Sequence, residues 1–332
     1  MIVDSFLFFN ELDLLEIRLE YLYPIVDKFL IVEAGQSFKG NIKKFNFEDN
    51  IKRYSKYLDK IYYFKIKDIY FDEKEFFSYI NKNNNAILKK ISHFINSHNH
   101  YDKNNLSYLL DTYHRECIHI ALNKLCKKKD LILISDLDEI PSYYILKKIK
   151  NINNIKDPIV FIQKEFQFFF NNFSNKLWYG SILANYEFIE KQSLNQLRID
   201  SHKFISLKDS GYHFTSLGDI NYIKNKIENY AHQEFNNNFI KNNIANNIRH
   251  GKDIFFRFGR SNNNYVDLNH SNLIDKRLYK IISKYNLYFL KKLNKNLFYD
   301  IKYKIYQFSF LFYRAFINPK KVIIKLKNMI IY

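Results

Sequence analysis

The chain has 332 residues, and its 52 lysines and arginines against 34 aspartates and glutamates give a formal net charge of +18. Hydrophobic residues make up 47% of the sequence, with only 7 glycines and 4 prolines, which excludes disordered, collagen-like and proline-rich proteins. Its two cysteines, Cys117 and Cys126, lie about 13.5 Å apart if they share the predicted helix, which is too far for a disulfide. A reducing compartment, or indifference to redox conditions, is therefore predicted.

The positive charge is concentrated near the C-terminus. Residues 276–332 contain 14 lysines and arginines and one acidic residue, Asp300, for a charge of +13, so the other 275 residues carry only +5. Basic segments of this kind contact anionic lipid or nucleic acid. Because Lys, Asn, Ile, Tyr and Phe are all abundant together, the aromatic content reflects AT-rich coding as much as base stacking, and no nucleic-acid partner is expected.

The first third of the chain alternates strand and helix patterns. Apolar runs at 2–9, 26–34 and 61–66 predict strands, while 12–22 has helical apolar spacing and 48–58 is helix-like. This rhythm is typical of a sheet with crossover helices. The N-terminus has neither a basic leader nor a small-residue cleavage site, so no signal peptide is predicted.

The rest of the chain adds further strands and helices. The spacing predicts an amphipathic helix over 109–125, a buried strand over 131–134, and a helix over 143–149. Strands are predicted at 159–170 and 177–189, and helices at 220–230 and 239–250. No run of 18 apolar residues occurs, so no transmembrane helix is expected, and the predicted location is cytoplasmic with peripheral contact at the inner face of the membrane.

The most informative motif is Asp136-Leu137-Asp138, directly after the buried strand. Residues two apart on an extended chain point the same way, so both carboxylates face one side at the carboxyl edge of the sheet, where open α/β sheets bind ligands. Two such acids attract a hard divalent cation, which can bridge them to phosphate oxygens. The alternative is an acidic loop in which Asp138 caps the following helix.

Several blocks in order carry a resemblance to a known family. They are residues 6–19, 26–34 with 37–40, 133–141, 211–218, 230–235 and 249–253. Together they resemble glycosyltransferase family 17, over roughly residues 2 to 260. The sequence departs from the family pattern at His114 and at Glu116-Cys117. The N-terminal membrane anchor of the eukaryotic members is not expected here, and the basic tail after about residue 276 lies outside the similarity.

The resemblance implies a fold and an activity. The fold is α/β and GT-A-like, with a mixed central sheet flanked by helices over 1–275, followed by a basic, aromatic-rich helical extension over 276–332. The activity is inverting, metal-dependent transfer of a sugar from a UDP-sugar, with UDP-N-acetylglucosamine as the expected donor and Mn²⁺ or Mg²⁺ as the metal. The acceptor is a glycan or lipid-linked sugar in surface polysaccharide, lipopolysaccharide or glycoprotein glycan synthesis.

The resemblance also implies roles on the donor side. Asp138 is expected to bind the metal and serve catalysis, Asp136 to bind the metal or ribose, and His213 to complete the metal shell. His213 has an alternative as a hydrogen-bonded core residue. Arg115 is expected to contact the diphosphate or the acceptor, or else to lie solvated on its helix.

Other residues are expected to complete the cleft. Asn10, Glu11 and Glu33 follow the first two strands and are expected to hold uracil and ribose; Asn10 has an alternative as a helix N-cap. Inverting transfer needs a general base, for which Glu234 is the first choice and Glu165 and Glu139 are alternatives.

The tail has its own prediction. Aromatic residues recur among lysines at helical spacing, at Tyr299, Tyr303, Tyr306, Phe310 and Tyr313. Such a helix suits an anionic membrane surface, or else packs on the body with its lysines solvated. Two other functions stay open for the chain: a non-enzymatic basic protein that binds membrane or nucleic acid, and a nucleotidyltransferase that uses the same acidic pair.

Overall fold

A computed structural model describes residues 1–152, 155, 157–258 and 263–317, with side chains of the last helix described as far as residue 312. The part of the predicted tail beyond residue 317, and the side chain of Tyr313, lie outside the described residues.

The strands form one mixed sheet. Within the described ranges they are β1 (Ile2–Phe8), β2 (Lys28–Ala34), β3 (Ile61–Ile66), β4 (Leu131–Asp136), β5 (Glu139–Pro141), β6 (Ile159–Gln167), β7 (Asn172–Asn185), β8 (Ile205–Thr215) and β9 (Asn264–Tyr265). The order is β3-β2-β1-β4-β7-β6-β8-β5, with β9 beside β7. The first four strands are mutually parallel, β7 is antiparallel to β4 and β6, and β6 and β8 are parallel.

Helices cover the sheet. They are α1 (Leu12–Leu22), α2 (Asn46–Asp49), α3 (Glu73–Lys82), α4 (Ala86–Ser97), α5 (Leu106–Glu116), α6 (Ile118–Leu125), α7 (Tyr143–Lys150), α8 (Tyr186–Ile189), α9 (Leu194–Ile199), α10 (Ile220–Asn229), α11 (Asn238–Arg249), α12 (Lys276–Ile282) and α13 (Leu297–Ile317). The predicted α/β class with a mixed sheet flanked by helices is therefore confirmed. None of the described helices combines the length and apolarity needed to cross a bilayer.

Alternating side chains on the strands divide the core into two layers. On β1, Ile2, Phe6 and Phe8 pack toward α1, α7 and α12, whereas Val3 packs toward α3–α6. A third cluster joins α10, α11 and α13. The sheet is thus buried on both faces, which places its ligand-binding capacity at the strand ends.

Three predicted elements differ from the structure. The helix predicted over 109–125 is two helices that meet at Cys117. The break follows Glu116, whose buried carboxylate accepts hydrogen bonds from Ser193 Oγ (2.6 Å) and from the backbone NH groups of residues 194 and 195. The strand predicted over 177–189 ends at Asn185, whose side chain caps α8 through the Phe188 NH group. The helix-like 48–58 is mostly a 3₁₀ helix, Ile51–Lys60.

The C-terminal segment packs on the body. Leu278 and Ile282 of α12 are buried in the same cluster as α1. One face of α13 is also buried: Tyr303 is 2% exposed and Phe310 is 5% exposed, and Tyr299 and Tyr306 pack beside them. This face of α13 therefore packs on the body, as one of the two alternatives predicted for the tail helix stated.

Candidate active site

The carboxyl ends of the parallel strands border a cavity. Registers across the sheet place Leu7 of β1 beside both Val32 of β2 and Asp136 of β4. Glu11, Arg115, Asp136 and Asp138 all line this cavity, together with Lys226 from α10 and residues 229–232. Because the family resemblance predicts that a sugar-nucleotide donor binds at these residues, we call it the donor cavity. Four of the predicted site residues therefore meet at the edge where the sequence pattern predicted a ligand site.

Asp136 is held by two arginines. Arg115 Nη1 donates to its Oδ1 at 2.6 Å, and Arg198 Nη2 from α9 donates to its Oδ2 at 2.9 Å. Burial alone would raise the pKa of Asp136, but the two guanidinium groups hold it well below its usual range. Arg115 is only 8% exposed. It is therefore part of the site, and the solvated alternative does not describe it.

Glu139 ties the acidic turn to the rest of the sheet. Its carboxylate accepts hydrogen bonds from Arg198 Nη2 and Nη1 at 2.6 and 2.8 Å, from the Trp178 indole Nε1 at 2.6 Å and from the Asp136 backbone NH at 2.9 Å. The side chain is fully buried. With its oxygens occupied in this way, Glu139 is poorly placed to take a proton from an acceptor.

Asp138 faces a different set of groups. His213 Nε2 lies 3.6 Å from its Oδ1, and Lys226 Nζ lies 3.6 Å from its Oδ2 and 3.9 Å from Glu11 Oε1. Burial disfavours the charged forms of all three groups at this point, yet their mutual attraction prevails: the pKa of Asp138 is lowered, and the pKa values of His213 and Lys226 are raised. Since Ser142 occupies the N-cap position of α7, Asp138 does not cap that helix.

Asp138 and His213 fit a divalent cation with few protein ligands. Two ligands that are each about 2.1 Å from one ion lie no more than about 4.2 Å apart, and the Asp138–His213 separation of 3.6 Å meets that limit. Nowhere in the described ranges do three or more His, Cys, Asp or Glu side chains form a metal-ligating group. The remaining positions would therefore fall to water and to phosphate oxygens of a ligand, as Mg²⁺ prefers.

The acidic turn is fixed from below by Arg18, a fully buried residue of α1. Its guanidinium pairs with Asp4 at 2.6 and 2.8 Å and donates to Ser135 Oγ. It also donates to the carbonyls of Asp136, Leu137 and Glu139 at 2.8–2.9 Å. The direction of the two aspartates is thus set by an ion pair inside the core.

Other predicted site residues lie elsewhere. Glu33 is fully buried and accepts hydrogen bonds from Lys43 Nζ, Tyr63 OH and the backbone NH groups of residues 46 and 47, and it does not line the donor cavity. Asn10 does not line it either; its Oδ1 is buried without a hydrogen-bond partner in the described residues, and α1 has Glu11 at its N-cap position. Glu234 lies beside Tyr108 and His232 near the rim.

Sequence reasoning missed three residues of the site. Arg198, Lys226 and Trp178 come from α9, α10 and β7, and none belongs to the motif blocks. The only available signal was indirect: a buried acidic turn needs cations, and the sequence does not say which of 52 lysines and arginines supply them.

Comparison with known proteins identifies a matching family. The model of glycosyltransferase family 17 matches residues 1–78 and 66–273. No curated protein matches the chain. A crystal structure of S. aureus TarS residues 1–349 is similar at a TM-score of 0.33 and 10% identity, over 69% of this chain and 66% of that one. The mixed sheet flanked by helices is the architecture that the family resemblance predicted.

Proposed function

The chain belongs to glycosyltransferase family 17, and from this we propose that it is a metal-dependent, inverting enzyme that transfers N-acetylglucosamine from UDP-N-acetylglucosamine to a glycan acceptor. The observation that carries the proposal is the pairing of Asp138 with His213 at the edge of a cavity that also holds Arg115 and Lys226. A carboxylate, an imidazole and cations at one strand edge match the needs of a nucleoside diphosphate with its metal.

The donor's parts fit different walls of the cavity. Phe38 and His114, whose ring centroids are 5.5 Å apart, offer an aromatic wall for uracil. Glu11 lies beside Lys226 where a ribose would reach the strand ends. Arg115 and Lys226 supply positive charge for the two phosphates, and Lys226 can exchange its contact with Asp138 for one with a phosphate oxygen.

In this proposal Asp138 and His213 hold Mn²⁺ or Mg²⁺, which when bound neutralises charge on the departing UDP. Asp136 has a different role, because its two carboxylate oxygens already accept hydrogen bonds from Arg115 and Arg198. It keeps both arginines in the cavity wall, where Arg115 can still donate from its other nitrogens. Arg198, clamped by Glu139 as well, supports the turn that carries Asp138.

We also propose that α13 brings the catalytic domain, residues 1–275, to the anionic inner face of a membrane, beside glycan or lipid-linked acceptors of surface polysaccharide, lipopolysaccharide or glycoprotein synthesis. The face of α13 opposite its buried side carries an apolar stripe whose members are each more than half exposed: Phe298, Ile301, Ile305, Phe308 and Phe312. Lys302 and Lys304 lie on the same helix, within a segment of charge +13. Apolar residues with flanking lysines suit an anionic lipid surface.

Flotation with liposomes tests the membrane contact. The full chain should float with vesicles that contain phosphatidylserine and not with pure phosphatidylcholine. Ile305→Glu, on the exposed stripe, should abolish flotation, whereas Ile205→Glu, the same change at an exposed isoleucine of β8, should keep most of it. Equal flotation of the two variants would contradict the membrane role. An Ile305→Glu variant that loses self-association in sedimentation but still floats would contradict it as well.

The activity is tested by a donor screen. UDP release should occur with UDP-N-acetylglucosamine in Mn²⁺ or Mg²⁺, fall to background with EDTA, and be lost in Asp138→Ala. Release of pyrophosphate from a nucleoside triphosphate instead would identify a nucleotidyltransferase. Binding of lipid or nucleic acid without turnover of any sugar nucleotide would reject the enzyme.

A further inference from the structure

A second cavity lies next to the donor cavity and shares Lys226 and Tyr230 with it. Its volume is about 200 Å³, and His213 lies in its wall. Because His213 also faces Asp138 at 3.6 Å, the two cavities meet where the donor's metal and diphosphate are proposed to bind. Its volume is below the roughly 300 Å³ of the smallest drug-sized pockets, so it suits one sugar residue rather than an oligosaccharide.

Glu165 is a buried carboxylate in the wall of this cavity, 1% exposed. On the sheet it is in register with His213 of β8, which in turn is in register with Glu139 of β5. Side chains at paired positions of neighbouring strands point to the same face, and the strands are about 4.8 Å apart. Glu165 therefore lies one strand from His213, on the side away from Asp138.

The carboxylate is oriented but not neutralised. Gln167 donates its amide to Glu165 Oε1, and Asn263 donates to Gln167 Oε1 at 3.1 Å, so a chain of amides holds one oxygen. No other hydrogen bond reaches the Glu165 carboxylate from the described residues. Glu139, by contrast, receives four hydrogen bonds, and Glu234 lies near Tyr108 on the donor side.

The remaining walls suit a neutral sugar. Trp178 and Phe255 provide aromatic surface, and Trp178 packs on His213 with ring centroids 4.8 Å apart. Arg257 is neutralised by Asp253 at 2.6 Å, and Lys226 is shared by Asp138 and Glu11. Glu165 is thus the acid of the lining that has no ion pair in the described residues, which disfavours an anionic sugar. Phe168 of this wall has φ +66°, a left-handed conformation that is strained for a bulky residue and is enriched at functional sites.

We propose that this second cavity binds the accepting sugar residue of a neutral glycan, and that Glu165 is the general base. The inference rests on the proposed glycosyl transfer. An acceptor hydroxyl oxygen forms a bond to C1 of the donor sugar while the bond from C1 to the diphosphate oxygen breaks. UDP leaves with that electron pair, and the hydroxyl proton passes to the Glu165 carboxylate. Attack of the acceptor oxygen on C1 opposite the departing diphosphate inverts the configuration at C1.

Trp178 makes the cavity directly observable, because it is the only tryptophan in the chain. With Mn²⁺ and UDP present, we expect its fluorescence to change on titration with the methyl glycoside of at least one neutral hexose and not with methyl glucuronide. Thr215→Phe, which adds bulk to the lining, should weaken that response at least tenfold without changing the affinity for UDP. A wild-type protein that responds to no neutral methyl glycoside would overturn the assignment of the cavity.

Turnover tests the base. With a methyl glycoside that stimulates UDP release, Glu165→Gln should lower kcat by at least 100-fold, as expected for loss of a general base, with Kd for UDP-N-acetylglucosamine and the Trp178 response within about twofold. The exposed Glu187→Gln is the matched control and should behave like wild type. Retention of kcat in Glu165→Gln, or a kcat loss found only in Glu234→Gln, would overturn the inference alone. Absence of donor binding in wild type would instead reject the proposed function, and this inference with it.

Discussion

Replacement of Arg18 should separate the stability of the fold from the geometry of the site. In Arg18→Met the buried Asp4 loses its partner, and the carbonyls of Asp136 and Leu137 lose the donor that the structure gives them. Breaking a buried ion pair from one side costs about 3–5 kcal/mol, and each orphaned buried carbonyl costs about 1–3 kcal/mol more. We expect the free energy of unfolding to fall by at least about 4 kcal/mol, measured by urea titration.

A second variant distinguishes the two roles of Arg18. Asp4→Leu together with Arg18→Met removes both charges, and it should recover at least about 2 kcal/mol, because no buried charge is left unpaired. The turn that carries Asp138 would still lack its donor, so affinity for UDP-N-acetylglucosamine with Mn²⁺ should stay at least tenfold below wild type. A loss under about 1 kcal/mol in the single variant, or full donor affinity in the double variant, would refute this reasoning.

Three further predictions concern single side chains. Glu139→Gln should lower the free energy of unfolding by about 3 kcal/mol in urea titration, because it removes one of the two carboxylates that pair with the buried Arg198 in the described residues; a change under 1 kcal/mol would contradict the anchoring role. Lys226→Met should raise Mn²⁺ affinity about tenfold by removing a cation beside Asp138, yet it should weaken donor binding. Electron paramagnetic resonance measures the Mn²⁺ affinity and calorimetry the donor affinity. A change of both affinities in the same direction would contradict the assignment. Burial lowers the pKa of His119 to about 3. The contribution of this residue to the free energy of unfolding is therefore complete above its unfolded-state pKa of about 6.5, and it falls as the pH drops, by about 2 kcal/mol at pH 5. His119→Leu should lose that part of the slope, and an unchanged slope between pH 7 and pH 5 would refute it.

The bounds of helices and strands were predicted best where they depend on residues that are close together in the chain. The bounds of α1 and β3 are those predicted, because each is a short apolar pattern that ends at polar residues. The break between α5 and α6 was not predictable, since it coincides with a Glu116 carboxylate whose partners lie more than 75 residues away along the chain. Long-range partners of buried polar groups leave no periodic signal.

The same distinction holds for the site. Asp136 and Asp138 were predictable as a pair at a strand edge, because both the strand and the spacing are local. Their cations Arg198 and Lys226 were not, because short helices from distant segments bring them in. Glu33 shows the converse: a carboxylate at a strand end indicates a ligand, but here backbone NH groups and Lys43 occupy it.

The central claim is that Asp138 and His213 hold the metal through which the donor binds. Its most direct test is calorimetric titration of UDP-N-acetylglucosamine into wild type, Asp138→Asn and His213→Ala, each with Mn²⁺ and with EDTA. We predict that wild type binds at least 100-fold more tightly with Mn²⁺ than with EDTA, and that both variants bind weakly and equally under the two conditions. Tight binding by wild type in EDTA, or a Mn²⁺ dependence that survives in Asp138→Asn, would contradict the account.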